Sequence, residues 1–417
     1  MEYKYVIIGG GIAGVTAAET IRELDPSGAI AVFTKEAHVL YSRVLLPSFL
    51  KGRIRQDQLF LRTFNDFEKS HINLFLKRAV VGIDIKQKKI TFQDNESLFH
   101  KKNTVFYEKL LIASGGEVEE WPVAGNNKKG IFRLQTIDDA EALAKYLSQA
   151  KKAIVAGGSF IALEFLEIFS LRRIPISLIC KSVGFFSNSL DGTGGEIIDS
   201  NFRRHGIESH YKEEVREVLG GNWVSGIRTN RPAEYQGDII GVGIGLNKNL
   251  NFFKERGFLT GEEGIKTNEY LETGNEGVFA AGDIAEFYDV IFEKNHTVGN
   301  WTNAFLQGKT VGLNMAGRKM VFRNVPFYSI TNLGFQITAL GEIETGEGIE
   351  TISRANPPFH KYERFFIKDG IIKGAFMINM FSDKSILAKL IENKVSVEKI
   401  KGNFADISFN LAEVVVE

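Results

Sequence analysis

Two glycine-bearing turns carry the chemistry that this sequence announces, YVIIGGGIAG at residues 5–14 and IVAGGSFIALE at residues 154–164. In the first, an apolar β-branched run reads as a buried strand, and Gly9, Gly11 and Gly14 follow at GxGxxG spacing. Gly9 permits the tight turn, Gly11 lets the backbone approach a pyrophosphate, and Gly14 lets a helix over 12–24 pack closely on the strand. That helix opens at Ile12 and Ala13, so its N-terminal amides face the phosphate charge. A second strand at 30–34 leads to Lys35 and Glu36, and Glu36 lies 22 positions beyond Gly14 (36 minus 14). The ribose-binding acid of a dinucleotide site is expected roughly 20 residues on. Strand, turn, helix, strand and acid agree on an adenosine dinucleotide.

The second turn keeps Gly157 but has Ser159 in the middle position and Ala162 in the third, with Phe160 opening its helix. Serine is small enough for close approach, and alanine is accepted in the third position. After the strand at 176–180 the chain offers Cys180-Lys181 where an acid would hold an NAD ribose. An acid repels a 2′-phosphate by roughly 4 kcal/mol per unit charge at 4 Å and an effective dielectric near 20, so its loss removes a barrier to NADPH. Lys181 can attract the phosphate, but a lysine at a strand end is also an ordinary solvated residue. A third reading is that this turn has lost nucleotide binding, and the coenzyme is written NAD(P)H. Gly243, in the glycine-rich strand at 239–247, completes the candidate contacts of this turn.

These residues need a scaffold, and 417 residues suffice for two or three domains. Lys+Arg and Asp+Glu both number 51, and the formal net charge of zero invites neither nucleic acid nor an anionic membrane. The N-terminal apolar run is broken by three glycines and lacks a cleavage site, and no stretch reaches the roughly 18 apolar residues of a membrane helix. A cytoplasmic protein is expected. With one cysteine, Cys180, neither an intrachain disulfide nor a cysteine-rich metal site can form. His205 and His210 are five apart, which misses the one-turn spacing of a helical metal pair.

Along the chain, the loop at 38–54 is too irregular for one helix and is interrupted by Pro47. Strands follow at 79–85, 89–92 and 107–113, the last running into Ser114-Gly115-Gly116. The linker at 117–130 marks a crossover, and a helix at 138–149 leads into the second turn. Residues 277–283 (GVFAAGD) read as a strand aimed at a ligand. Beyond Val321 the pattern turns antiparallel, with strands at 362–368 and 371–377 flanking Asp369-Gly370, a hairpin turn. Phe185 and Phe186 fit either a partner surface or ordinary packing, and packing is the favoured reading.

Five motifs in this order resemble the FAD-dependent pyridine nucleotide-disulfide oxidoreductase superfamily, in its branch of rubredoxin reductases, ferredoxin reductases and apoptosis-inducing-factor-like flavoproteins. They are the first turn, KEAHVLYSR, YEKLLIASGG, the second turn, and GVFAAGD followed by GNWTNAFLQGKTVGLNMAG. The resemblance implies an α/β fold with two Rossmann-like domains. A discontinuous FAD domain (1–118 and 246–320) is interrupted by an NAD(P) domain (119–245), and a C-terminal α+β domain (321–417) follows. It implies FAD at Gly9, Gly11, Gly14, Glu36 and Lys35. Arg43 would meet phosphate or flavin, and Val80 the adenine through its backbone. Ala113, Ser114 and Gly115 form the ATG-like turn. Gly282 and Asp283 come from AAGD, the aspartate bonding the ribityl chain, and Trp301 would lie beside the isoalloxazine.

Glu164 stands where relatives keep a glutamate near the nicotinamide and the flavin edge. In some of them it pairs with a lysine from the loop after Arg43. This sequence has Ser48 there, and spacing does not say whether Lys51 substitutes. Thiol-using branches need two cysteines in the first domain or one near position 42, where this chain has Ser42, and Cys180 belongs to the other domain. The implied reaction is therefore hydride transfer from NAD(P)H to the flavin, then release of electrons to a small redox protein of the rubredoxin or ferredoxin type. An oxidase reducing oxygen and an electron-transfer subunit of a larger complex are the alternatives. Relatives use the C-terminal domain either to form a homodimer or to shield the flavin, and both stay open.

Overall fold

A computed structural model describes residues 1–94 and 101–414; positions 95–100, and 415–417 at the end of the expected C-terminal module, lie outside the described residues. The chain folds as two compact units, Met1–Leu45 with Arg55–Glu117 and Leu246–Asn324, and Leu46–Ile54 with Val118–Gly245 and Val325–Glu417.

The first unit is built on a seven-stranded sheet. Its parallel part runs Val278–Ala280, Lys102–Ile112, Glu2–Ile8, Ile30–Phe33, Ile72–Phe75. Val6, Ile7, Ala31, Val32, Leu110 and Leu111 are fully buried, as expected of parallel strands covered on both faces. Strand Lys102–Ile112 is longer than the sequence predicts. Its first half alternates exposed and buried residues and pairs antiparallel with Lys89–Asp94, while its second half joins the parallel sheet and ends in the buried apolar run Leu110–Ile112. Helix Ile12–Leu24 crosses helix Trp301–Met315 closely, because Gly308 and Gly312 leave no side chain in between. A Cβ on Gly308 would lie 2.5 Å from the carbonyl oxygen of Ala13.

The second unit holds a five-stranded parallel sheet in the order Ile207–Tyr211, Ile176–Cys180, Ala153–Ala156, Ile239–Val242, Ile131–Phe132. Helix Phe160–Ser170 packs on it with eight consecutive buried residues from Ala162 to Phe169. The glycine-rich stretch at 239–247 is strand at Ile239–Val242 and again at Leu246–Asn247, and Gly243 lies in the irregular segment between them. A three-stranded antiparallel sheet (Val215–Leu219, Gly226–Thr229, Glu234–Gln236) follows, unforeseen from the sequence because its strands are short and half charged. The C-terminal sheet is antiparallel, in the order Phe327–Asn332, Phe335–Gly341, Ile371–Ile378, Lys361–Lys368, Glu350–Asn356. Its expected hairpin turns on Asp369 (φ 52°) and Gly370 (φ 70°), the pair of positive angles of a type I′ turn.

Pro47 corrects one expectation. It lies in the first turn of helix Leu46–Leu50, where its missing N–H leaves no helical bond unmade, so it opens a short helix instead of interrupting the loop. Phe185 is 2% exposed and meets Phe202 edge-on at 5.1 Å, as packing requires. No helix among the described residues is long and apolar enough to cross a membrane.

Candidate functional site

In the first unit, four neighbouring strands deliver the candidate residues to one edge of the sheet. Glu2–Ile8 ends in Gly9–Gly11, Ile30–Phe33 leads to Lys35 and Glu36, Lys102–Ile112 ends in Ala113, Ser114 and Gly115, and Val278–Ala280 ends in Gly282 and Asp283. This is the carboxyl edge, where open α/β sheets bind their ligands. The glycines divide their work as the spacing suggests. Gly9 has φ +122°, and a Cβ there would lie 2.1 Å from Ala113 O; a Cβ on Gly14 would lie 2.1 Å from Gly9 O. A Cβ on Gly11 meets nothing within 4 Å, so this position faces open space. A narrow cavity joins Gly10, Gly11, Thr34, Glu36, Tyr41 and Arg43.

Around it, Glu36 accepts a hydrogen bond from Tyr41 (2.7 Å) and pairs with Arg43. Lys35 pairs with Glu117, both exposed. Lys77 N–H donates to Glu36 O (3.0 Å) and Arg78 N–H to Thr34 O (2.8 Å), which brings the strand of Val80 alongside the acid. Gly282 N–H donates to the buried Gln307 side chain (2.7 Å). No donor reaches the Asp283 carboxylate among the described residues. Burial pushes its carboxyl above the ordinary aspartate value, against the opposing charges of Lys248 and Arg43. Burial in turn lowers Lys248, a neighbour that no motif disclosed. An enclosed carboxylate without a donor, beside open glycine positions, fits a bound polyhydroxyl chain and its phosphates. Trp301 is half-buried in the first turn of its helix, packed against the unit's core. A separate cavity lies at the amino ends of the same strands, among Glu2, Phe106, Tyr107 and Gly277.

The second turn repeats the first bond for bond. Gly9 N–H donates to Phe33 O (2.8 Å) and Gly157 N–H to Ile179 O (3.0 Å); Ala113 N–H donates to Ile8 O (2.8 Å) and Gly243 N–H to Ala156 O (2.9 Å). Gly157 has φ +129°, and a Cβ there would lie 2.5 Å from Gly243 O. Ser159 also ties the turn together, since its hydroxyl donates to Gly243 O (3.1 Å) and caps the helix by accepting from Ala162 N–H (3.3 Å). The register also moves the acid position. Lys212 N–H donates to Ser182 O (2.9 Å) and Glu213 N–H to Cys180 O (3.2 Å), as Lys77 and Arg78 do to Glu36 and Thr34. Ser182 is therefore the counterpart of Glu36, two residues beyond Cys180, and counting from the strand end stops short of it.

Glu164, on the helix that follows this turn, is 8% exposed. The Lys51 ammonium, itself 2% exposed, lies 2.6 Å from Glu164 Oε2 and also pairs with Glu167, which Arg53 reaches at 3.1 Å. Asn332 Nδ2 donates to the same Glu164 oxygen (3.0 Å), while Asn332 Oδ1 is buried without a partner. Burial raises the Glu164 carboxyl, Lys51 holds it down, and Glu167 adds to the rise. Tyr328, beside Phe160 with ring centres 4.3 Å apart, is pushed up to about 12, first by burial and then by Glu164. Lys51 thus stands where Ser48 could not serve. The short helix that begins at Leu46 carries the chain on to it, and spacing alone does not disclose that helix. Asn332 and Tyr328 have no motif to reveal them.

Comparison with known proteins identifies the family. Residues 3–308 match the model of the pyridine nucleotide-disulphide oxidoreductases. The chain belongs to this family. Residues 326–395 match the rubredoxin NAD+ reductase C-terminal domain. An NADH oxidase of Methanocaldococcus jannaschii is 28% identical over 82% of this chain and 75% of its own length. The covalent putidaredoxin reductase-putidaredoxin complex contains a chain with the same fold, at TM-score 0.90 and 20% identity over 99% of this chain and 98% of that one. So does an engineered water-forming NADPH oxidase bound to NADPH, a mutant of the Lactobacillus brevis enzyme (TM-score 0.87, 21% identity, 99% and 95% covered). The protein is an FAD-dependent NAD(P)H oxidoreductase.

Proposed function

We propose that this oxidoreductase passes electrons from NAD(P)H through its flavin to a small redox protein of the rubredoxin or ferredoxin type, with no thiol or disulfide centre. The observation that carries this reading is the Lys51–Glu164 pair beside the second turn, in a chain whose one cysteine, Cys180, is buried and free. When bound, FAD takes up reducing equivalents from the nicotinamide and releases them singly. Gly9, Gly11, Gly14, Glu36, Arg43, Ala113, Ser114, Gly115 and Asp283 hold it. Domain boundaries of 1–118 with 246–320, 119–245 and 321–417 accompany this reading.

Glu164 Oε2 is occupied by Lys51 and Asn332, so Oε1 remains to accept a hydrogen bond or hold a proton at the nicotinamide. Burial raises that carboxyl and Lys51 opposes the rise. Tyr328 and Phe160 supply the apolar wall that excludes water. The match at 326–395 and the fold shared with a putidaredoxin reductase support a protein acceptor. The NADH oxidase relative favours oxygen as a second reading. On the coenzyme, the engineered NADPH oxidase has alanine, arginine and serine in place of aspartate, alanine and methionine at three consecutive positions. In this chain the counterpart of the ribose acid, Ser182, likewise carries no carboxylate and has Lys181 next to it. Steady-state turnover decides between acceptors: reduction of oxidised rubredoxin or ferredoxin should outpace oxygen uptake at least tenfold, and the reverse order would favour the oxidase.

A further inference from the structure

We propose that the second turn selects NADPH over NADH, with the 2′-phosphate held by the ammonium groups of Lys181 and Lys212 and the hydroxyl of Ser182. This rests on the nicotinamide-dependent reading above and names the coenzyme of that site.

The internal repeat sets the positions. In the first unit the residue three beyond the last strand position facing the turn is Glu36, and its carboxylate carries the negative charge of that site. In the second unit the same place in the hydrogen-bond pattern is Ser182, and Cys180, one past the strand position bonded to Gly157, is equally neutral. A Cβ on Gly158 would lie 2.8 Å from Cys180 Sγ and 3.7 Å from Ser182 Oγ, so the hydroxyl stands against the turn itself. Lys212 repeats the backbone of Lys77 down to its positive φ, 56° against 54°, and its N–H fixes it beside Ser182. Lys181 and Lys212 are both exposed, and no anion reaches either ammonium among the described residues.

The nearby acids are already engaged. Glu213 is 5% exposed, takes hydrogen bonds from Thr229 (3.1 Å) and Tyr235 (3.0 Å), and lies 3.7 Å from Arg231. Glu208 lies 3.5 Å from His210. Two lysines that no described acid neutralises adjoin Ser182, Lys181 in sequence and Lys212 through its N–H, where a ribose-binding acid is missing; the Ser182 hydroxyl lies 3.3 Å from Cys180 Sγ. That arrangement attracts a phosphomonoester and lacks the carboxylate that would grip a bare ribose.

Isothermal titration of the holoprotein with 2′,5′-ADP and with 5′-AMP reads the site without turnover. The expectation is at least tenfold tighter binding of 2′,5′-ADP, an advantage that shrinks as salt is raised. Lys181→Ala and Lys212→Ala should each lower the NADPH-to-NADH ratio of kcat/KM by roughly tenfold, equivalent to about 1.4 kcal/mol. Ser182→Glu, restoring an acid, should turn the preference toward NADH. Equal binding of the two nucleotides, or a ratio indifferent to all three substitutions, would overturn the proposal. Reduction of the flavin by NADH alone would refute NADPH selection and leave the oxidoreductase reading intact. Tight 2′,5′-ADP binding with no flavin reduction by either coenzyme would refute that reading and leave this site standing.

Discussion

Lys51 shows how much a single buried cation can govern. It is shared by Glu164 and Glu167, two carboxylates one helical turn apart, and Arg53 covers only the second of them. Replacing it as Lys51→Met leaves two buried acids with one partly exposed counter-charge. Removing one partner of a buried pair costs about 3 kcal/mol or more, which should appear as a lowered urea midpoint. The same change removes what holds the Glu164 carboxyl down, so its pKa climbs further above the ordinary value. The ionised form then requires a higher pH, and the acid limb of the kcat/KM profile should move upward. An unmoved limb would show that Glu164 takes no part in turnover. At this scale the sequence pointed to residues with fixed neighbours, such as Glu36 and Asp283, which adjoining strands bring to one edge of the sheet. It left Lys51 undecided and was silent about Asn332, since their relation to Glu164 depends on how distant segments fold against one helix.

The glycine turns and the sheets make separate predictions at the level of elements. Gly14 has a carbonyl where a Cβ would go, and Gly11 has open space, so the two should fail differently. Gly14→Ala forces the helix off the strand and should destabilise the first unit by about 2 kcal/mol. Gly11→Val should leave the melting of the apoprotein unchanged while weakening flavin binding more than tenfold. Equal loss of stability in both would mean that Gly11 is a packing residue and not an approach to phosphate. Melting curves with a flavin absorbance titration provide the comparison.

In the C-terminal sheet, Arg354 bonds Glu363 (2.8 Å) and Asp383 (2.7 Å) and clamps the Phe409 carbonyl (2.8 Å). Burial pushes Glu363 up to about 8, with Asp383 adding to the rise and Arg354 opposing it. A carboxyl whose folded pKa is raised holds its proton better in the folded state. Its contribution is present below the unfolded value near 4.5 and is lost as pH rises toward 8. Between pH 6 and 9 the wild type should therefore lose about 2–3 kcal/mol more stability than Glu363→Gln. A gap between the two proteins that does not change with pH would contradict it. Elements with a strong local signal were legible: the helix at 12–24 and the strand at 176–180 match the sequence reading to the residue. The sheet at 215–236 was not, since its exposed edges carry charges that mask the alternation.

For the whole molecule, the order of motifs along the chain disclosed the family more reliably than any one of them. Each turn taken alone is weak evidence, but two turns, an ATG-like turn and an AAGD strand in sequence leave few architectures open. The acceptor was illegible for a physical reason: docking surfaces are scattered exposed side chains without spacing rules. The central claim is that nicotinamide reduces a flavin held at the first turn and that electrons leave without a thiol. Anaerobic rapid mixing of the FAD-loaded protein with NADPH and with NADH, read by flavin absorbance, tests it most directly. The flavin should bleach within the turnover time and recover when oxidised rubredoxin or ferredoxin is added. A flavin that stays oxidised with both coenzymes would contradict the account.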